Sequence, residues 1–223
     1  MPKDWMGVPI EGAMERVLAE AEKQEAQTQQ QASQTTAQNV EGMVHIPTAN
    51  IYFAKKRTHP NLTWYKAHEA LALENRRMPT IEELRLALSY FKSSNDNELK
   101  TLYNEITQVR DPWRANWIDA YFEQRDDGLY MLTKNKTHSE KLEDCLMEDK
   151  LPGISMASWL KGTNVTSQGL PKSNISNGKL YFWHPRNQRV AWFSASSIRA
   201  GLYCSWSPDW GSGLGVFGVA DTT

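Results

Sequence analysis

The hydrophobic period of the chain changes near Gly128, and that change constrains the fold more than any other feature. Upstream, apolar residues recur at helical spacing: Trp64, Ala67 and Leu71 in one run, Ile81, Leu84, Leu88 and Phe91 in a second. Thr80 stands three residues before Glu83, the capping-box spacing in which hydroxyl and carboxylate each satisfy an amide orphaned at a helix start. A third run, around Leu99, Leu102, Tyr103 and Ile106, ends before VRDPWRANWIDAYFE, whose Pro112 interrupts a continuing helix. Downstream come short apolar alternations split by Gly, Pro, Asn and Ser, as in DGLYMLTKN, LPGISMASWL, NGKLYFWHPRN and QRVAWFSAS. Helices followed by strands predict an α+β domain with a small antiparallel sheet and long surface loops. Ahead of the helices, VHIPTANIYFAKK holds β-favouring runs around Ile46 and Ile51-Tyr52-Phe53, read as a first strand.

The 223 residues suffice for one domain and an appendage. Residues 1–42 form the appendage, a polar helix or flexible tail, and residues 43–223 the domain. In the tail, Met14, Val17, Leu18 and Ala21 make a short apolar stripe before a Gln/Thr/Ala tract that has too little apolar surface to build a core. Two readings stand: a coiled segment through which chains oligomerise, or a frayed helix and linker. A net charge of -1 removes the basic excess that would draw the protein to nucleic acid or an anionic membrane. No segment approaches the roughly 20 apolar residues of a membrane helix. The start, MPKDWMGVPIEG, lacks the pattern of a secretory signal, so a cytoplasmic product or display on a virion is expected. Without such a signal the sequons at Asn61, Asn135, Asn164 and Asn174 read as chance. Nine Trp, eight Tyr and six Phe point to an aromatic-packed fold with recognition surfaces.

Catalytic frames are missing. His45, His59, His68, His138 and His184 are scattered outside any metal-ligand spacing, and two cysteines, Cys145 and Cys204, are too few for a thiolate zinc site or a disulfide scaffold. Each reads as a buried thiol. There is no G-x-S-x-G elbow or Walker loop. Gly213 to Gly218 satisfies G-x-G-x-x-G, but a dinucleotide site needs those glycines to open a helix, and the chain ends five residues later. In RDPWR, Arg110 and Arg114 flank Asp111 beside Trp113, which fits either an anion site or a salt-bridged turn. No catalytic residue, metal or cofactor is expected.

The segment from Val190 to Val219 contains no Lys, Glu, Gln or Met, although these crowd the rest of the chain. Burial alone would remove charges, but would not leave Ser194, Ser196, Ser197, Ser205, Ser207 and Ser212. A half-buried strand pair fits better. Ser194, Ser196 and Ile198 alternate with Ala195, Ser197 and Arg199; after a shift of parity across Arg199-Ala200, Gly201, Tyr203 and Ser205 alternate with Leu202 and Cys204. The shift predicts a turn or bulge between strands that show their varied residues on one side. Ala195, Ala200, Leu202 and Cys204 make the core side.

The run R-V-A-W-F-x-A-x-S-x-R-A-x-L-x-C-x-x-x-P from Arg189 to Pro208, with L-G-V at Leu214, Gly215 and Val216, resembles the variable region of proteins diversified by retroelements. RMPTIEEL, RDPWRANWIDAYFE and LPGIS resemble the same family, so the likeness spans roughly residues 43 to 219. In that family an error-prone copy of a template is written into the gene with changes at adenines, mostly in AAC or AAT codons. Randomising their first two bases while keeping a pyrimidine third excludes Lys, Glu, Gln, Met and Trp, which matches the missing alphabet. The resemblance marks Ser194, Ser196, Ile198, Gly201, Tyr203, Ser205, Ser207, Asp209 and Ser212 as diversified, all reachable from such codons. Trp206 and Trp210 occupy similar places but are not reachable, so they are fixed anchors or arise from another adenine-bearing codon. The resemblance further implies a C-type lectin fold, here without calcium, since no Glu-Pro-Asn or Gln-Pro-Asp loop supplies the oxygen ligands.

The expected function is capture of a protein or cell-surface ligand, with stiff aromatics and adaptable Ser and Gly contacts working as in antibody paratopes. Two alternatives remain. One is a structural virion or assembly protein. The other is an enzyme of the formylglycine-generating type, whose helix signature LENRRMPTIEEL resembles, although Cys145 and Cys204 lie far apart in sequence for a reactive pair.

Overall fold

A computed structural model describes residues 4–5, 8–9, 20–21, 23–24, 40–143 and 145–222. The chain divides into two units, Met1–Glu41 and Gly42–Thr223. In the first, Asp4–Trp5 (β1) pairs antiparallel with Val8–Pro9 (β2). Glu20, Ala21, Lys23 and Gln24 are helical and exposed, whereas Met14, Val17 and Leu18 of the expected stripe lie outside the described residues.

The second unit is α+β. It opens on Met43–Ile46 (β3) and Ile51–Ala54 (β4), two strands where one was expected. Asn50 takes φ 52° and turns the chain between them, a left-handed conformation that Asn tolerates better than most residues. Three helices follow at the three periodic runs: Trp64–Leu73 (α1), Ile81–Ser93 (α2) and Asn97–Thr107 (α3). The capping box of α2 forms as spaced. Glu83 N–H donates to Thr80 Oγ1 at 3.2 Å, and Thr80 N–H donates to Glu83 Oε2 at 2.8 Å.

Arg114–Arg125 then forms β5, the longest strand, in the segment whose pattern predicted only a helix break. Seven consecutive residues, Arg114 to Ala120, are buried. A strand covered on both faces loses the alternation by which a half-exposed strand is recognised. The remaining elements are Gly128–Thr133 (β6), His138–Lys141 (β7), Lys150–Ile154 (β8), Met156–Lys161 (α4), Leu180–Trp183 (β9), Arg189–Ala195 (β10), Ala200–Trp206 (β11), Leu214–Gly215 (β12) and Val219–Asp221 (β13).

The sheet is larger than the small antiparallel one expected. Eight strands are joined in the order β7-β6-β5-β10-β11-β9-β8, with β12 beside β5, and two of the pairings, β11 with β9 and β12 with β5, are parallel. A separate three-stranded sheet, β13-β4-β3, joins the end of the unit to its beginning.

Each face of the large sheet carries its own core. On one side Ile118, Ala120, Phe122, Phe193, Leu202 and Cys204 pack with the apolar stripes of α2 and α3 and with Trp159, which stacks on Phe193 at 6.1 Å. On the other, Ala115, Trp117, Val190 and Trp192 pack with Trp64, Ala67 and Leu71 of α1 and with Leu214 and Val216. Two indoles stitch this second layer to backbone: Trp64 Nε1–H donates to Ile118 O and Trp117 Nε1–H to Leu62 O, both at 2.9 Å. Such donors satisfy polar groups that burial would otherwise penalise. Arg77 ties the C-terminal strand to the helices by pairing with both Glu83 and Asp221 at 2.6 Å, while its backbone exchanges hydrogen bonds with Val219. Among the described residues no helix is long and apolar enough to cross a membrane.

Leu202 lies fully buried between β11 and the helices. Leu202→Ala is expected to cost about 2–5 kcal/mol through the cavity it opens, and Thr80→Ala about 1 kcal/mol through the lost cap. Urea denaturation with unchanged slopes would measure both, and the reverse ranking would contradict the assignment of Leu202 to the core.

Candidate functional site

Strands β10 and β11 form an antiparallel hairpin in which Trp192 faces Tyr203, Phe193 faces Leu202, Ser194 faces Gly201 and Ala195 faces Ala200. A bulge between Val190 and Trp192 shifts the register against both neighbours, β11 and β5. The parity change expected across Arg199-Ala200 corresponds to the turn of residues 196–199. Ala195, Ala200, Leu202 and Cys204 fall on the core side, as their alternation predicts, and Phe193 lies there with them. Complete burial pushes the Cys204 thiol well above its ordinary pKa, with a further contribution from Cys145 nearby. Both cysteines are buried thiols.

The opposite side is a bed of aromatic rings. Trp183 of β9 stacks on Tyr203 at 5.8 Å, Tyr203 lies 5.1 Å from Trp192, Trp192 lies 4.7 Å from Trp206, and Trp210 stands edge-on to Trp206 at 6.2 Å. Trp113 adds an edge-on contact to Trp192 at 5.8 Å. Beside this row the Arg199 guanidinium sits over the Tyr181 ring, 4.2 Å from its centroid. The indole N–H groups of Trp183, Trp192 and Trp206 are buried and find no acceptor among the described residues, whereas Trp210 Nε1–H donates to Ser212 O at 3.2 Å. Indole is a donor only, so the row combines apolar ring surface with donors that lack acceptors.

The expected site residues occupy three environments. Tyr203, Ser205, Trp206 and Ser207 are half-buried along or next to the aromatic row. Asp209, Trp210 and Ser212 are exposed on the return loop, which is anchored at both ends: Trp64 N–H donates to Pro208 O at 3.0 Å and Gly213 N–H to Asn61 Oδ1 at 2.9 Å. Ser196 and Ile198 stand at the hairpin tip. Ile198 is 83% exposed and lines a shallow cleft of about 190 Å³ with Val109, Met156, Leu180 and Arg199. Ser196 builds the turn, its Oγ donating to Arg199 O at 3.0 Å and accepting the N–H groups of Ile198 and Arg199.

Ser194 and Gly201 depart from the outward placement that alternation predicted. They do lie on the aromatic side, but Ser194 is only 5% exposed and Gly201 is buried. That side is a second core rather than open solvent. A Cβ built on Gly201 would come within 2.5 Å of the Tyr203 ring, so the ring covers Gly201, the cross-strand neighbour of Ser194, and Ala115 closes the other flank. Positions 201 and 203 are therefore coupled, since any side chain at 201 displaces the tyrosine.

Sequence reasoning did not single out Tyr181, Trp183 or Trp113 for the site. The alternation in Leu180-Tyr181-Phe182-Trp183, two buried and two half-buried, was a usable signal for the first two. The salt-bridged turn expected in RDPWR does not form through Arg114. Arg114 Nε–H donates to Glu105 O at 2.6 Å at the end of α3, a placement where a cation suits the helix dipole, rather than pairing with Asp111. Burial first, and then Arg110, lowers its pKa to about 10. Among the described residues no three His, Cys, Asp or Glu gather to hold a metal ion.

In comparisons with family models, curated proteins and solved structures the chain matches none of them.

Ser194→Lys is expected to lower stability by about 1–3 kcal/mol or more, because the position is closed and a buried ammonium has no partner there. Asp209→Lys and Ser212→Lys, on the exposed loop, are expected to stay within about 0.5 kcal/mol of the parent. Chemical denaturation of the three variants checks the division, and a neutral Ser194→Lys would show that the closed side opens.

Proposed function

We propose that the aromatic row, the hairpin tip and the return loop together form a ligand-binding face, and that the chain is a diversity-generating retroelement target protein of C-type lectin fold that acts without calcium or another cofactor. The observation that carries this reading is a coincidence. The segment with the restricted alphabet supplies the return loop, the tip and most of the aromatic row, where the exposed Asp209 and Ser212 flank the exposed Trp210, edge-on to Trp206. Rigid indoles lose little entropy on binding, and Ser, Gly and Asp around them adapt hydrogen bonds, the division found in antibody paratopes. A broad, shallow face of this kind fits a protein or cell-surface ligand better than a small metabolite, which needs an enclosing pocket. Display on a virion or a role in the cytoplasm are both compatible with that ligand.

Ser194 belongs to this face as a buried spacer and Ser196 as the former of the tip. The directly contacting set is then Ile198, Tyr203, Ser205, Trp206, Ser207, Asp209, Trp210 and Ser212, with Gly201 controlling where the Tyr203 ring lies. An enzyme of the formylglycine-generating type is disfavoured because Cys204 is enclosed, with a pKa raised by burial, the opposite of an activated thiolate.

Two measurements test the reading. Sequencing many copies of the gene from one population is expected to find amino-acid changes confined to adenine-bearing codons within 190–219, and variation spread evenly over 43–189 would refute it. Trp210→Ala, at a position 49% exposed, is expected to leave the melting temperature nearly unchanged. It should weaken binding to a ligand selected on the parent protein by about thirtyfold, the scale of an interface hot spot.

A further inference from the structure

Away from the aromatic row, α1 and the β6–β7 turn enclose a pocket of about 230 Å³ lined by His68, Ala72, Arg76, Arg77, Lys134 and Asn135. No acidic side chain lines it, although the chain holds 26 acidic residues against 25 Lys and Arg. The four ionisable lining groups differ in how much of their charge is already met. Arg77 is committed to Glu83 and Asp221. Among the described residues Arg76 has one long ionic contact, Nη1 to Glu74 at 3.5 Å, and its buried Nε–H has no acceptor. Lys134 makes no ion pair among the described residues, and its side chain is exposed at the mouth. His68 is 6% exposed and faces Asp119 at 3.4 Å; the other oxygen of that carboxylate accepts the Lys134 N–H at 2.6 Å. The one buried carboxylate nearby is thus turned inward, toward His68 and the backbone, and the cations at the mouth are met only in part, Lys134 at a distance by Asp221 and Arg76 by its long contact to Glu74.

The turn itself is held in a form that keeps its donors there. Lys134, Asn135 and Lys136 all take positive φ, 51°, 52° and 67°. Lys136 is drawn off toward α1 and the sheet, its Nζ donating to Tyr65 Oη at 3.2 Å and lying 3.5 Å from the Tyr121 ring centroid. Its neighbours Lys134 and Asn135 remain on the pocket. A guanidinium from the segment after α1 and an ammonium and an amide from the β6–β7 turn approach one space, an arrangement suited to an anion with several acceptor oxygens.

We propose that this pocket binds a phosphate-class oxyanion, either free or as a phosphomonoester, with Arg76 and Lys134 as its charged contacts. A tetrahedral anion offers acceptors in the several directions from which the donors come, and the volume leaves room for a small group esterified to it. The site is separate from the proposed ligand face and stands or falls independently of it.

Titration of the full chain with inorganic phosphate and, separately, with glycerol phosphate tests the proposal at fixed pH and ionic strength, with chloride as the control. The five histidine rings serve as reporters by NMR. A saturable shift confined to the His68 ring is expected, with a rise in melting temperature that chloride does not produce. Lys134→Gln and Arg76→Gln should each weaken binding about tenfold, and the double variant should abolish the His68 response. Lys134 is exposed, so its single variant reports binding even if the double variant unfolds. Response to glycerol phosphate as well as to phosphate assigns the esterified form, and response to phosphate alone assigns the free ion. No saturable His68 shift, or a response that survives both substitutions, would overturn the site; phosphate that stabilises wild type and the double variant equally acts only as a general stabilising salt.

Discussion

Burial of β5 on both faces is the constraint on which the rest of this domain depends. A central strand covered on both sides needs an apolar layer above and below it, and the chain supplies α2 and α3 for one and α1 with the late loops for the other. The indoles of Trp64 and Trp117 satisfy backbone carbonyls as they close the second layer. Asp119, at the middle of the strand and fully buried, is tolerable because Lys134 N–H donates to it and His68 lies alongside. Uncompensated, a carboxylate in that position would cost several kcal/mol, which is why such charges are found paired or hydrogen-bonded. Because β10 lies directly against β5, the aromatic side of the hairpin is partly core, and the proposed recognition face is confined to the row of rings, the tip and the return loop.

How much of this was legible in the sequence follows from the same constraint. Helices that bury one stripe and expose the other were visible, as were the capping box at Thr80 and the core side of the hairpin at Leu202 and Cys204. The strand covered twice was not, since the polar residues of RANWIDA fall on both faces, Arg114 and Asn116 on one and Asp119 on the other, and all are buried, which leaves no clean alternation. Ser194 was placed outward by its period, correctly as to side and wrongly as to solvent, because period reports direction and not what another segment lays on top. The parallel pairing of β9 with β11 and the union of β13 with β4 depend on long connections, and no local pattern encodes which distant edge a strand will meet.

The proposed division between stability and recognition is graded along the segment. Leu202 and Cys204 belong wholly to the core, Asp209 and Ser212 wholly to the surface, and Tyr203 and Trp206 to both, packed on the second core yet facing the proposed ligand. Diversification of such a face would not be free at every position. A residue larger than Gly201 must move the Tyr203 ring from its place, and through it the contacts with Trp183 and Trp192.

A saturation library covering residues 190 to 219, sorted for folded protein and, separately, for binding to one selected ligand, tests this division most directly. The expected result is graded: free substitution at Asp209 and Ser212 in the folding sort, intolerance at Ser194, Leu202 and Cys204, covariation between 201 and 203, and binding losses concentrated at Trp206, Trp210 and their exposed neighbours. Folding that depended on Asp209 and Ser212 while tolerating change at Leu202 and Ser194 would contradict it.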